Sequence, residues 1–229
     1  MFKLSRLKKK NKLTHSLVMI EDSFSVVAEQ YRSIRTNIEY SSADKILQTI
    51  IVTSANMSEG KSTTVSNLAI SFAQQGKKVC IIDADLRKPT MHFIFNQKNT
   101  IGLSSVLTRH AHLDESIQKT KVYGLDIIPS GPIPPNPSEL LGSNAMKELL
   151  TILRSSYDVI MIDTPPLLPV TDAKVLGKIV DGLIFVVKSG STEIEDLKKV
   201  KHLLEGISTK VIGTVLNRKK VKKIKEYYY

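Results

Sequence analysis

The chain has 229 residues, 41% hydrophobic and 24% charged, the composition of an ordinary globular domain, which excludes a disordered, collagen-like or disulfide-scaffolded chain. A single cysteine, Cys80, rules out an internal disulfide and a cysteine-based zinc site, and the five histidines show no ligand spacing. The net charge of +11 sits at the ends: residues 1–13 hold six basic side chains and no acid, residues 218–229 hold six and one acid, and the body, 14–217, is neutral.

A neutral body between two cationic ends is the wrong pattern for a folded nucleic-acid-binding face, so no nucleic-acid partner is expected. It suits ends held near an anionic membrane surface, at roughly 1 kcal/mol per basic residue, or ends that are simply solvated. No apolar run approaches the roughly 18–20 residues of a membrane span. The apolar stretch at 16–20 (SLVMI) is too short for a signal-peptide core. These features predict a reduced, soluble, cytoplasmic protein. Residues 1–20 read as a basic flexible arm, 21–217 as the folded domain and 218–229 as a basic tail ending in Tyr227, Tyr228 and Tyr229.

In chain order, good helix formers predict a helix over 23–40, and 46–54 (ILQTIIVTS) reads as a strand. A helix over 61–75 is closed by Gly76. Strands are expected at 78–83 and 125–129, then a helix over 138–155 with Ser138 as N-cap. Further strands fall at 157–164, 182–188 and 210–216, with a helix over 192–205 between the last two. Alternating strands and helices predict an α/β fold, a mainly parallel sheet with helices on both faces. The apolar runs lack polar alternation, as strands buried on both sides do. The proline-rich stretch 131–142 reads as a rigid surface loop, because patterning resumes directly after it.

The sharpest motif is Ala55-Asn56-Met57-Ser58-Glu59-Gly60-Lys61-Ser62-Thr63, a phosphate-binding loop of the form G-x-x-x-x-G-K-[ST] with Ala55 in the first glycine position. Loop amides and a helix N-terminus cradle phosphate, the lysine neutralises the β/γ charge, and the Ser62 hydroxyl ligates Mg²⁺. Carboxylates follow two further strands: Asp83-Ala84-Asp85-Leu86-Arg87 and Asp163-Thr164-Pro165-Pro166. The C-terminal ends of parallel strands are where open α/β sheets bind ligands.

These motifs resemble those of the bacterial tyrosine kinases of capsular and exopolysaccharide biosynthesis, over nearly the whole chain. The family carries three Walker-type motifs, matched here by GKST at 60–63, IIDADLR at 81–87 and IMIDTPP at 160–166. It also carries an E-x-x-R-x-x-R helix, matched by Glu29, Arg32 and Arg35, a segment similar to PPNPSELL at 134–141, and a terminal tyrosine cluster. The resemblance implies a MinD/ParA-like P-loop NTPase fold. It implies ATP on Ser58, Glu59, Gly60, Lys61, Ser62 and Thr63, and Mg²⁺ held by Ser62 with Asp85 and Asp163. Asp83 is implied near the incoming tyrosine hydroxyl, although two acids one residue apart can exchange roles. Arg87 is expected to neutralise phosphate or to pair with Asp85, the second being favoured. Asn217 resembles an adenine-reading asparagine, or is a strand-end turn residue. Glu29, Arg32 and Arg35 are expected at the subunit interface of a ring, an octamer by resemblance, with the three tyrosines as phosphoacceptors. Implied partners are a transmembrane chain-length regulator that activates the kinase at the inner face of the cell membrane, and a phosphotyrosine phosphatase.

The chain departs from the family at Met57-Ser58, where Pro-Gly is usual. A serine forced to positive φ costs about 1 kcal/mol relative to glycine. A positioning ATPase of the ParA/MinD kind is the main rival, but the second lysine of those loops is replaced by Asn56. A weakly active scaffold ATPase of polysaccharide export is the third reading.

Overall fold

Apolar runs that bury both of their faces have to lie inside a sheet covered on two sides, and the computed structural model, which describes residues 17–41 and 47–219, has that architecture. The elements are α1 (Val18–Glu21), α2 (Val26–Tyr40), β1 (Thr49–Ser54), α3 (Lys61–Ala73), β2 (Val79–Asp83), α4 (Met91–Ile94), α5 (Leu103–Leu107) and α6 (Leu113–Ser116). They continue with β3 (Gln118–Lys119), β4 (Leu125–Ile128), α7 (Pro137–Leu141), α8 (Asn144–Arg154), β5 (Val159–Asp163), α9 (Asp172–Leu176), β6 (Gly182–Lys188), α10 (Ile194–Glu205) and β7 (Lys210–Asn217). The strand order is β3-β4-β2-β5-β1-β6-β7, parallel throughout except for the β3–β4 pair.

Side chains alternate across a strand, so neighbouring residues feed different cores. Ile51, Ile160 and Ile162 join a cluster with α8 and α9, whereas Ile50, Val52 and Met161 join one with α2 and α3. β1, β2 and β5 are buried along their whole length. The edge strand β7 is mostly exposed.

Several boundaries differ from expectation, each for a local reason. The single helix expected over 138–155 is two. Gly142 ends α7, and a Cβ there would lie 2.9 Å from Val175 Cγ1, so the close approach of α9 demands glycine and a break. Ser143, not Ser138, caps α8, its hydroxyl accepting from the Met146 N–H. The strand expected from 46 begins at Thr49, because the Asp181 carboxylate accepts the N–H groups of Gln48 and Thr49 where strand pairing would otherwise start. The flexible arm expected over 1–20 does not extend to its end: 18–20 belong to α1, and Met19 is fully buried, its N–H donating to Asn67 Oδ1. The rest of that arm, 1–16, and the tail with Tyr227, Tyr228 and Tyr229 lie outside the described residues. No helix among the described residues is long and apolar enough to cross a membrane.

Candidate active site

Three strand ends and one helix start converge. β1 runs into the loop 55–60, whose chain reverses at Ser58 (φ 61°) and Gly60 (φ 99°) before α3 starts at Lys61. The positive φ is therefore carried by a serine, with the cost of about 1 kcal/mol noted above. Gly60 has a second constraint: a Cβ there would meet Asn217 Nδ2 at 1.9 Å.

The loop is braced from behind. Glu59 is 3% exposed, and its carboxylate accepts the Asn56 N–H (3.1 Å) and the Thr192 hydroxyl (2.6 Å). Its side chain thus faces the protein, leaving its backbone for the loop. Asn56 Nδ2 donates to Asp196 at 2.7 Å, and Asn217 Nδ2 donates to the Glu59 carbonyl at 2.8 Å. Asn217, expected at the adenine, thus sits against the phosphate loop at the end of β7. Sequence reading missed the braces Thr192 and Asp196, which belong to no motif and lie more than 130 positions from their partners.

The carboxylates meet beside this loop. β2 and β5 pair in parallel so that Asp83 and Asp163 are register partners, and both are fully buried. Burial pushes the Asp163 carboxyl up to about 7, against the pull of the Lys61 ammonium and the Ser62 hydroxyl. Burial and then the neighbouring Asp163 charge also drive Asp83 well above the ordinary carboxylate range. Asp85 is raised by burial too, and Lys61 pulls it the other way. Lys61, itself only 7% exposed, is thus the cation that faces the array.

The three acids differ in what they have free. Asp83 Oδ2 accepts from the Thr90 and Met91 amides and Oδ1 from the Asp85 amide, so both oxygens are committed to backbone. Asp85, 9% exposed, accepts the Lys88 N–H through Oδ1. Asp163 Oδ2 accepts the Ser62 hydroxyl at 2.6 Å, and its Oδ1 is buried without a hydrogen-bond partner. A hydroxyl beside a half-satisfied buried carboxylate suits a hard divalent cation, so Ser62 and Asp163 fit Mg²⁺. No cluster of three His, Cys, Asp or Glu side chains forms an all-protein metal cage among the described residues. A Mg²⁺ ion completed by phosphates and water requires none.

Arg87 does not pair with Asp85 as favoured above. Its Nε and Nη2 grip the fully buried Asp172 at 2.9 and 3.0 Å, and Ser138 Oγ bonds the same carboxylate. A buried carboxylate without this partner would be strongly penalised, whereas Asp85 has backbone and Lys61 near it. The fork ties the loop after β2 to α7 and α9.

The expected interface residues separate on α2. Glu29 is exposed and bonds Arg32 Nη1 at 2.9 Å. Arg32 Nη2 also donates to the Ser23 carbonyl at 2.6 Å. Arg35 turns inward, and its Nη1 donates to the Ser71 carbonyl of α3 at 2.8 Å.

A family model described as "AAA domain" matches residues 47–219, which span the three Walker-type motifs and the segment 134–141 but neither the α2 motif nor the terminal tyrosines. The tyrosine-protein kinase YwqD of Bacillus subtilis is 47% identical, over 96% of this chain and 92% of its own. The solved structure of the chimerical protein CapA2B2 superposes with a TM-score of 0.86 at 43% identity, covering 89% of each chain. The kinase domain of the Escherichia coli tyrosine kinase Etk does so at 0.84 and 32% identity, covering 98% of this chain and 88% of that one. The architecture reaches beyond kinases: MinD of Pyrococcus horikoshii has a TM-score of 0.64 at 26% identity, over 75% of this chain and 70% of its own. With a MinD-like P-loop fold and relatives of this similarity along its length, the chain belongs to the bacterial tyrosine-protein kinases of the capsule and exopolysaccharide type.

Proposed function

We propose that this kinase uses Mg-ATP to phosphorylate Tyr227, Tyr228 and Tyr229 of a neighbouring copy, and thereby regulates capsular or exopolysaccharide synthesis and export. The convergence of Lys61, Ser62, Asp85 and Asp163 on one phosphate-binding loop carries the reading. Amides of 58–63 bind the phosphates. Lys61 neutralises the β/γ charge. Ser62 and Asp163, with Asp85, would hold Mg²⁺, which would supply a Lewis acid to offset the charge of the transferring group. The tyrosine oxygen bonds to the γ-phosphorus, the bond to the ADP oxygen breaks, and the phenolic proton passes to a carboxylate. Asp85 is favoured for that proton over Asp83, because it is the more open and Asp83 already accepts three amide hydrogens. Asp83 then orients the loop. Asn217 would read the base only by exchanging its bonds to the Glu59 carbonyl and the Arg218 N–H.

In this reading the kinase domain, expected over 21–217, takes in α1 from Val18, and the remaining basic ends are appended arms. The exposed Glu29–Arg32 pair lies in the contact that closes a ring, proposed as an octamer. The tail from 219 to 229 spans at most about 36–40 Å when extended, enough to reach an adjoining site. A transmembrane chain-length regulator recruits the kinase to the inner face of the membrane and activates it, and a phosphotyrosine phosphatase reverses the reaction. A mixing experiment tests the transfer. A Lys61→Met chain keeps its tyrosines without activity, and a chain truncated before Tyr227 keeps activity without acceptors. Label on the first chain in the mixture is the expected result. Self-labelling of intact protein at a rate independent of concentration, with no label in the mixture, contradicts it.

A further inference from the structure

A second cleft, of about 520 Å³, lies at the end of the sheet opposite the carboxylates, under the N-terminal ends of β2 and β4. Lys77, Lys78 and Lys119 line it, with Tyr123 at the rim (96% exposed) and Tyr157 donating its hydroxyl to Asp126 at 2.9 Å. The three lysines come from two segments, Lys77 and Lys78 from the α3–β2 turn and Lys119 from β3, and none is in an ion pair among the described residues. Gly124 (φ 79°) draws the two segments together, since a Cβ there would stand 3.0 Å from the Lys77 carbonyl. The cleft therefore presents three lysines without ion-pair partners above an apolar and aromatic wall, with Asp126 in its lining and Asp158 accepting the Lys78 N–H at 2.8 Å. A phosphate fits at the lysines and not beside Asp126, and an aryl ring carrying it fits against Tyr123.

We propose that this cleft binds phosphotyrosine in the C-terminal segment of a second copy of the chain. The proposal rests on the reading above that those tyrosines are the acceptors. Charge supports this occupant. Residues 218–229 carry six basic residues and one acid, so the unmodified segment is repelled by the three lysines. Each phosphate adds about −1.5 to −2, enough for three to bring the segment to about neutral and to give the lysines a partner. Geometry favours a second copy over the same one. The described chain leaves the C-terminal end of β7, at one edge of the sheet, while the cleft sits at the other ends of β2 and β4, with β4 five strand steps away. Five steps are about 24 Å across, to which a strand length is added, and a reach of about 36–40 Å leaves little for a path around the body. A tail leaving a neighbour's active site once phosphorylated would thus have a place to rest.

The test uses a fluorescent synthetic peptide of residues 219–229 with its three tyrosines phosphorylated, titrated into the full chain at low salt and read by anisotropy. The phosphates are added chemically, so the result stands whether or not the kinase labels its own tail. Binding is expected for the phosphorylated peptide and none for the unmodified one. A Lys77→Gln, Lys78→Gln, Lys119→Gln chain, whose substituted side chains are exposed, should bind at least about tenfold more weakly with an unchanged melting temperature. Tyr123→Ala should weaken binding several-fold, and Lys61→Met should leave it intact. Equal binding by the triple variant places the peptide elsewhere and overturns the proposal. So does full displacement by inorganic phosphate at equal concentration, or lysine-dependent binding of phosphatidylserine vesicles with no binding of the peptide.

Discussion

Asp163 is a fully buried acid beside the phosphate loop, and its burial favours the protonated carboxyl. Burial raises it to about 7 while Lys61 and Ser62 oppose the rise. A cation can use this carboxylate only after its proton has left. Mg-nucleotide binding at pH 6–7 should therefore release a proton, and affinity should fall by up to about tenfold per pH unit below 7. Isothermal titration at pH 6.5 in buffers of different ionisation heat reads this directly, and heats independent of buffer would refute it. Asp181 is the contrasting case. Burial alone would raise it, but the Thr49 N–H and hydroxyl and the Arg154 guanidinium outweigh burial and hold it below the usual carboxylate range. Its ionised form stabilises the fold above the unfolded carboxylate value, near 3.9, and that contribution is lost as pH falls through the depressed folded value. Asp181→Asn should cost about 1–3 kcal/mol in urea unfolding at pH 7, and the gap from wild type should close on acidification. That Lys61, Ser62 and Asp163 would come together was legible in the sequence, because each sits in a short motif after an apolar run. The bond from Arg87 to Asp172 was not, since 85 positions separate the partners and only the packing of α9 brings them together.

At the scale of elements, the longer strands and helices could be read from the chain, since burial on both faces leaves an unbroken apolar run and a helix needs several turns of good formers. What escaped were pieces too short to show a period: α4, α5, α6, α9 and the two-residue β3. The break between α7 and α8 escaped for another reason, the approach of Val175 to Gly142, which is tertiary. Helix α2 carries the prediction at this scale. Its motif residues do not share one task, because Arg35 holds the Ser71 carbonyl of α3 while Glu29 faces solvent. Arg35→Ala should lower stability by about 1–3 kcal/mol by removing a charged donor from a carbonyl it satisfies. Glu29→Lys should leave the melting temperature unchanged and yield smaller particles by light scattering. A variant of Glu29 with unchanged mass would return that residue to an ordinary helix surface.

For the whole molecule, the sheet places one catalytic edge where β1, β2 and β5 end, and the phosphate loop, the carboxylates and the braces from Thr192, Asp196 and Asn217 all meet there. Charge divides the chain in the opposite sense, into a neutral body and two cationic ends. Under the proposal above, the body supplies the chemistry and the C-terminal segment is its substrate. The central claim is that this P-loop site transfers phosphate to tyrosine. Its most direct test is mass-spectrometric mapping of phosphotyrosine on purified wild-type and Lys61→Met protein after incubation with Mg-ATP, with the activating segment of a transmembrane partner added to both. Phosphate on Tyr227, Tyr228 or Tyr229 in the wild type, and none in the folded variant, is the predicted result. Phosphotyrosine in the Lys61→Met protein, or ATP hydrolysis by the wild type with no tyrosine modified, would contradict it.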